Sequence, residues 1–149
     1  MTFKERVHSK YRQLVQDKID VYRDMIANLA DDAQNDAKSS AGDKHETALS
    51  MMHLEQEKLV QKLRENIEMQ SILDKIDPMA ITSKVALGSV VKANNIFLFV
   101  CGALPKITVD GVTIIALSPQ SPLGEKLLGK SVGYVFEIQS STYNIESIF

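Results

Sequence analysis

Apolar residues in the first half of the chain recur at helical intervals. Val15, Ile19, Tyr22, Ile26, Leu29 and Ala33 step by 4, 3, 4, 3 and 4 residues, the spacing of a stripe that stays on one face of a supercoiled helix. Val7, Tyr11 and Leu14 extend a neighbouring stripe toward the N-terminus. The pattern stops at Ser39-Ser40-Ala41-Gly42, a cluster of small residues that predicts a turn. A second helical run follows, with Ala48, Met52, Leu59, Leu63, Ile67 and Leu73 as its expected core. It ends at Asp77-Pro78, because proline disfavours a helical residue before it. Two helices of about 33 residues joined by a short turn must lie antiparallel, each spanning about 50 Å at 1.5 Å per residue. A small C-terminal half cannot cover stripes of that length, so the expectation is a coiled-coil hairpin buried against itself, its turn far from its base.

The pattern beyond Pro78 is that of strands. Val109-Asp110-Gly111-Val112 predicts a tight hairpin, since Asp-Gly supplies the positive φ angles of a primed turn. Its flanks, 107–109 and 112–117, are β-branched and apolar. Further strands are expected at 85–91 and 96–101, joined by Asn94-Asn95, and at 134–138 and 143–148, around Gln139-Ser140-Ser141. Within 121–129, Ser121 is a good N-cap, Pro122 suits a first turn and Gly129 suits a C-terminal stop, which predicts one short helix. The fold class expected is α+β: a helical hairpin over 1–77 and a small, mostly antiparallel sheet with one short helix over 78–149.

Composition supports the division. Residues 1–77 hold 12 Lys/Arg, 15 Asp/Glu, one glycine and no proline, whereas residues 78–149 hold 5 Lys/Arg, 4 Asp/Glu, six glycines and all four prolines. The net charge of −2 argues against direct, sequence-independent nucleic-acid binding, which needs a basic excess. A lone cysteine, Cys101, forms no internal disulfide and reads as an inert core thiol. No apolar run approaches the roughly 20 residues of a membrane span. The expectation is a cytoplasmic protein with no membrane partner.

Candidate chemistry concentrates at the turn. Asp43 and Glu46 are three residues apart at the start of the second helix, with Asp31, Asp32 and Asp36 on the preceding arm. Two close carboxylates can hold a hard cation such as Mg²⁺, weakly unless other ligands complete the shell. The same spacing is also a capping box, and acidic residues in a first turn complement the helix dipole; both roles stay open. His45 and His53, eight residues apart, are too distant for a compact metal site and read as solvated. The six methionines, Met51-Met52 among them, read as hairpin filling. No nucleophile–base pairing, phosphate loop or metal-ligand cluster stands out, so no self-sufficient active site is expected.

The order of these features resembles the bacterial Gre-type transcript cleavage factors (GreA/GreB-like), which bind RNA polymerase. Gly42-Asp43-Lys44-His45-Glu46 is similar to that family's Gly-Asp-x-x-Glu tip. Ser121-Pro122-Leu123-Gly124-Glu125-Lys126-Leu127-Leu128-Gly129-Lys130 is similar to its Ser-Pro-Ile-x-x-x-Leu-Ile-Gly-Lys segment. Val85-Ala86-Leu87-Gly88-Ser89-Val90-Val91 resembles its opening strand, and Tyr143 to Ile148 its last.

The resemblance implies an FKBP-like C-terminal domain that docks at the rim of the polymerase secondary channel through Ser121, Pro122 and Leu123. It implies a hairpin that enters the channel, and tip carboxylates, Asp43 and Glu46, that help hold a second Mg²⁺ shared with the polymerase for hydrolysis of backtracked RNA. RNA would then be met only inside the polymerase complex, and the chain would act as a monomer that stimulates the polymerase's own hydrolysis.

The chain also departs from that family. Thr47-Ala48-Leu49-Ser50 stands where the cleavage factors have Asn-Ala-Glu-Tyr, and the arm before the turn is acidic rather than basic. The alternatives are a non-cleaving regulator that competes for the channel, a structural coiled-coil dimerisation module and, weakest, a prolyl isomerase.

Overall fold

A computed structural model describes the backbone of residues 1–39 and 43–149 and the side chains of 1–32, 34 and 47–149. Two long helices come first, α1 (Phe3–Ser39) and α2 (Asp43–Lys75). Thr2 starts α1 with a reciprocal capping box. Its Oγ1 accepts the Glu5 N–H at 3.2 Å, and its own N–H donates to Glu5 Oε1 at 3.0 Å. The residues Thr2-x-x-Glu5 carry the signature of this box in the sequence. α2 ends three residues before Pro78. Ile76 donates to Leu73 O, Asp77 Oδ1 accepts the Met79 N–H at 2.9 Å, and Ala80 closes a turn onto Asp77 O.

Six strands follow: β1 (Val90–Ala93), β2 (Ile96–Val100), β3 (Ile107–Val109), β4 (Val112–Leu117), β5 (Val135–Ile138) and β6 (Ser141–Ile148), with the short helix α3 (Pro122–Leu127) between β4 and β5. The sheet order is β3-β4-β2-β1-β6-β5. The α+β class expected from the pattern is the class observed. The sheet, however, is mixed: β2 and β4 pair in parallel, Phe97 opposite Ile114 through Val100 opposite Leu117. From β2 the chain passes first to the edge strand β3 and folds back, so β4 inserts beside β2 in the same direction.

Residues 85–89, expected as strand, form a turn instead. Gly88 takes φ +90°, and a Cβ there would lie 2.8 Å from Ile76 Cγ2. Ser89 is buried, and its Oγ accepts the Ala86 N–H at 2.9 Å. Val85 exchanges backbone hydrogen bonds with Gly129 and Lys130 rather than with a strand.

The chain divides into two compact units, Met1–Arg12 with Ile72–Phe149, and Gln13–Ser71. The composition shift at Asp77-Pro78 marks the end of helix, while the sheet unit also takes in both helix bases. The reason lies in β2, whose uninterrupted apolar run is buried on both faces. Leu98 and Val100 belong to a core with Val91, Leu117, Leu127, Phe136 and Ile145. On the other face, Phe97 meets the ring of Phe3 at 4.9 Å and Phe99 meets Tyr11 at 5.7 Å. Tyr11 Oη donates to Pro105 O at 2.8 Å, Lys10 Nζ donates to Thr108 O at 2.6 Å, and Arg6 pairs with Asp110 at 2.6 Å. Burial pushes the Tyr11 hydroxyl up out of its ordinary range and the Cys101 thiol up to about 12, an inert thiol as expected.

In the unit Gln13–Ser71, Val15 and Ile19 are buried, with Tyr22, Ile26 and Leu29 half-buried, as the stripe predicts. On α2 the expectation fails at Ile67, which is exposed, whereas Asn66, Met69 and Gln70 turn inward. The observed seam runs Met52, Gln56, Leu59, Leu63, Asn66, Gln70, stepping 4-3-4-3-4. Three of its members are polar, which hid the heptad from a search for apolar residues. Gln70 Nε2 donates to Gln16 Oε1 at 2.5 Å, and Asn66 Nδ2 donates back to Lys62 O at 2.8 Å. Met25 and Met51 are exposed rather than filling the hairpin.

Candidate functional site

Two places were marked by the sequence. At the first, α2 opens at Asp43, with Glu46 in its first turn. The side chains of Asp43, Glu46, His45 and Asp36, and the turn 40–42, lie outside the described residues, so the capping and metal roles of the acidic pair have no geometry here. Asp31 and Asp32 are exposed on α1, and Thr47 and His53 are exposed on α2. Among the described residues no group of three or more His, Cys, Asp or Glu could hold a metal ion. As donors, Asp43 and Glu46 are two carboxylates, which suit a hard divalent cation and supply a minority of the six or more oxygen ligands such a cation takes.

The second place is fully described. Ser121 takes an extended conformation before α3, and its Oγ accepts the Gly124 N–H at 3.0 Å while donating to Ser118 O at 2.6 Å. The same carbonyl accepts the Ser121 N–H at 3.1 Å. Ser118 Oγ in turn accepts the Gln120 N–H and donates to Gln120 Oε1. Gly124 completes the lock. A Cβ at that position would lie 2.0 Å from Ser118 O and 2.9 Å from Pro119 Cα, so only glycine lets the loop press this closely on the helix. Beyond α3, Gly129 at φ +78° turns the chain back so that its N–H reaches Val85 O at 2.8 Å.

The lock fixes which side chains face solvent. Pro122, Glu125, Lys126 and Leu128 are exposed, and Leu87, on the turn that Gly129 and Lys130 hold, is exposed as well. Leu123 is half-buried against the core that contains Leu127, so part of its side chain is committed to packing. Ser121 spends its hydroxyl on the cap. Of the three residues expected to touch a partner, Pro122 is the one freely presented, and Lys126, in the last turn of α3, is exposed beside it. Lys130 caps the face with a cation–π contact, Nζ 5.0 Å from the Tyr134 ring centre.

No helix among the described residues is long and apolar enough to cross a membrane. No family model matches the chain, and no curated protein does. Among solved structures, the transcription factor Gfh1 is similar over 92% of each chain, with 16% identity and a TM-score of 0.36, too low for that likeness to carry a functional argument.

Proposed function

We propose that the chain is a transcription factor that docks on bacterial RNA polymerase through the α3 face and acts through the turn between α1 and α2. The observation that carries this proposal is the locked loop. A network of Ser118, Ser121 and Gly124 holds Pro122, Glu125 and Lys126 outward on a fixed backbone, and a surface ordered before binding loses less entropy on docking. Support also comes from α1 and α2, helices of 37 and 33 residues whose connection falls beside Asp43.

In this proposal Asp43 and Glu46 contribute oxygen ligands for Mg²⁺, and the polymerase contributes the remainder. When bound, the cation would supply activation of water toward a phosphodiester of backtracked RNA. The chain's own residues bind, orient and deliver. A second reading, a regulator that occupies the channel without promoting cleavage, is favoured by Thr47-Ala48-Leu49-Ser50 and by the exposed Asp31 and Asp32 on the arm.

The test is a stalled, backtracked polymerase from the same organism. The cleaving factor shortens the RNA in the presence of Mg²⁺ and loses that activity in Asp43→Asn or Glu46→Gln. Binding without cleavage selects the regulator. Absence of binding, together with sedimentation as a dimer, selects a structural coiled coil and ends the proposal.

A further inference from the structure

A pocket of about 300 Å³ opens where the start of α1 meets the segment after α2, lined by Phe3, Lys4, Pro78, Met79, Ile81 and Phe149. Two features of it stand out. Ile81 is 79% exposed and Met79 62%, a concentration of apolar surface beside a concave site. At the same place Lys4 is only 8% exposed, an unusual burial for an ammonium.

Lys4 Nζ donates one hydrogen bond, to Ala80 O at 2.6 Å, the backbone group between Met79 and Ile81. An ammonium has three donors, and among the described residues no other acceptor is bonded to it. Asp77, the charge that acts on it from nearby, has its Oδ1 engaged with the Met79 N–H. Burial holds the Lys4 amine below its ordinary range, and the Asp77 charge offsets this in part. The site thus combines an apolar wall with a largely buried lysine whose ammonium makes one hydrogen bond among the described residues.

We propose that this pocket binds a small amphiphile with a single carboxylate head, its head on the free donors of Lys4 and its apolar body along Phe3, Met79 and Ile81. A carboxylate fits the charge and the remaining donors, and an aliphatic or aromatic body fits the wall. At 300 Å³ the pocket is at the small end of ligand sites, which selects a short-chain molecule.

The probe is octanoate, titrated into the ¹⁵N-labelled protein, with octanol and octylamine as controls. The expected result is saturable shifts at the amides of Phe3, Lys4, Met79, Ala80 and Ile81. Octanoate should bind about tenfold tighter than octanol, the worth of one charge-assisted hydrogen bond, and octylamine most weakly. Lys4→Met should erase the octanoate preference and Lys4→Arg should retain it. Ile81→Glu, at a side chain mostly in solvent and so safe for the fold, should abolish octanoate binding even where Lys4→Met proves unstable. Octanol binding as tightly as octanoate, octanoate binding that survives Ile81→Glu, or shifts that never saturate would each overturn the proposal; the last would leave the pocket to an apolar side chain of a protein partner.

Discussion

The two units of this chain bury their apolar residues to very different degrees. In the sheet unit, Val90, Val91, Leu98, Phe99, Val100, Ile114 and Ile145 are completely out of solvent, and the Ser121 hydroxyl ties the loop before α3 to its first turn. Among the described residues of the unit Gln13–Ser71, only the hydrophobics Val15, Ile19, Leu59 and Met69 are buried, the seam includes Gln16, Gln56, Asn66 and Gln70, and Val21, Met25, Met51, Leu54 and Ile67 face solvent. Local stability follows buried apolar contact, so the sheet unit is expected to open last and the hairpin first. A polar seam gives up stability but fixes register, since the Gln16–Gln70 pair is satisfied in one alignment. The difference teaches that one chain can combine a densely packed unit with one whose contacts are fewer and more polar.

Substitutions separate the two. Phe99→Ala removes a ring packed between β2 and Tyr11 and should cost about 4 kcal/mol, against roughly 2 kcal/mol for Leu59→Ala in the hairpin, where the site relaxes into solvent. Urea unfolding measures both, and equal costs would erase the distinction.

Alkaline pH should weaken the sheet unit selectively. The folded Cys101 thiol titrates near 12 against an ordinary 9.0 because of burial, and Tyr11 moves the same way. The folded state therefore keeps these protons when the unfolded state has released them. For Cys101 the resulting stabilisation is complete below pH 9 and is lost as pH rises toward 12, at about 1.4 kcal/mol per pH unit, and for Tyr11 the loss begins only above its ordinary 10.0. Cys101→Ala should flatten that slope above pH 9, read from denaturant midpoints across the range.

A smaller effect sits at the β5–β6 turn. Gln139 and Ser140 both hold positive φ, 48° and 70°, without being glycine. Ser140→Gly should stabilise the sheet unit by about 1 kcal/mol. The smallest change is expected at Ile67, where alanine should shift stability by under about 0.5 kcal/mol despite the residue's place in an apolar-looking pattern.

Ile67 also marks where the sequence stopped being legible. The α1 stripe was readable because its members are apolar, and the Asp110-Gly111 hairpin because its turn chemistry is local: both residues take positive φ as expected. The α2 seam was misread because three of its positions are amides, invisible to a search for hydrophobic repeats. The β2–β4 parallel pair was hidden because it joins segments with a whole strand between them. The run 85–91 looked like strand by composition, yet residues 85–89 turn at Gly88, whose positive φ and closeness to Ile76 require glycine. At α3 the Ser121 cap was legible, but the enforced glycine at 124 was not, since its cause is a carbonyl six residues upstream. The acidic pair at the start of α2 was legible only as alternatives, and a cap and a cation ligand call for the same residues.

Binding and cleavage measured together on one backtracked polymerase complex test the division of labour most directly. Asp43→Asn/Glu46→Gln should bind as tightly as the unaltered chain while leaving the RNA uncut. Lys126→Glu, an exposed change on α3, should weaken binding about tenfold with the fold intact. If the acidic-pair variant still cuts, or if Lys126→Glu and Pro122→Ala bind unchanged while the acidic-pair variant loses affinity, the sheet unit is not what holds the polymerase and the account is wrong.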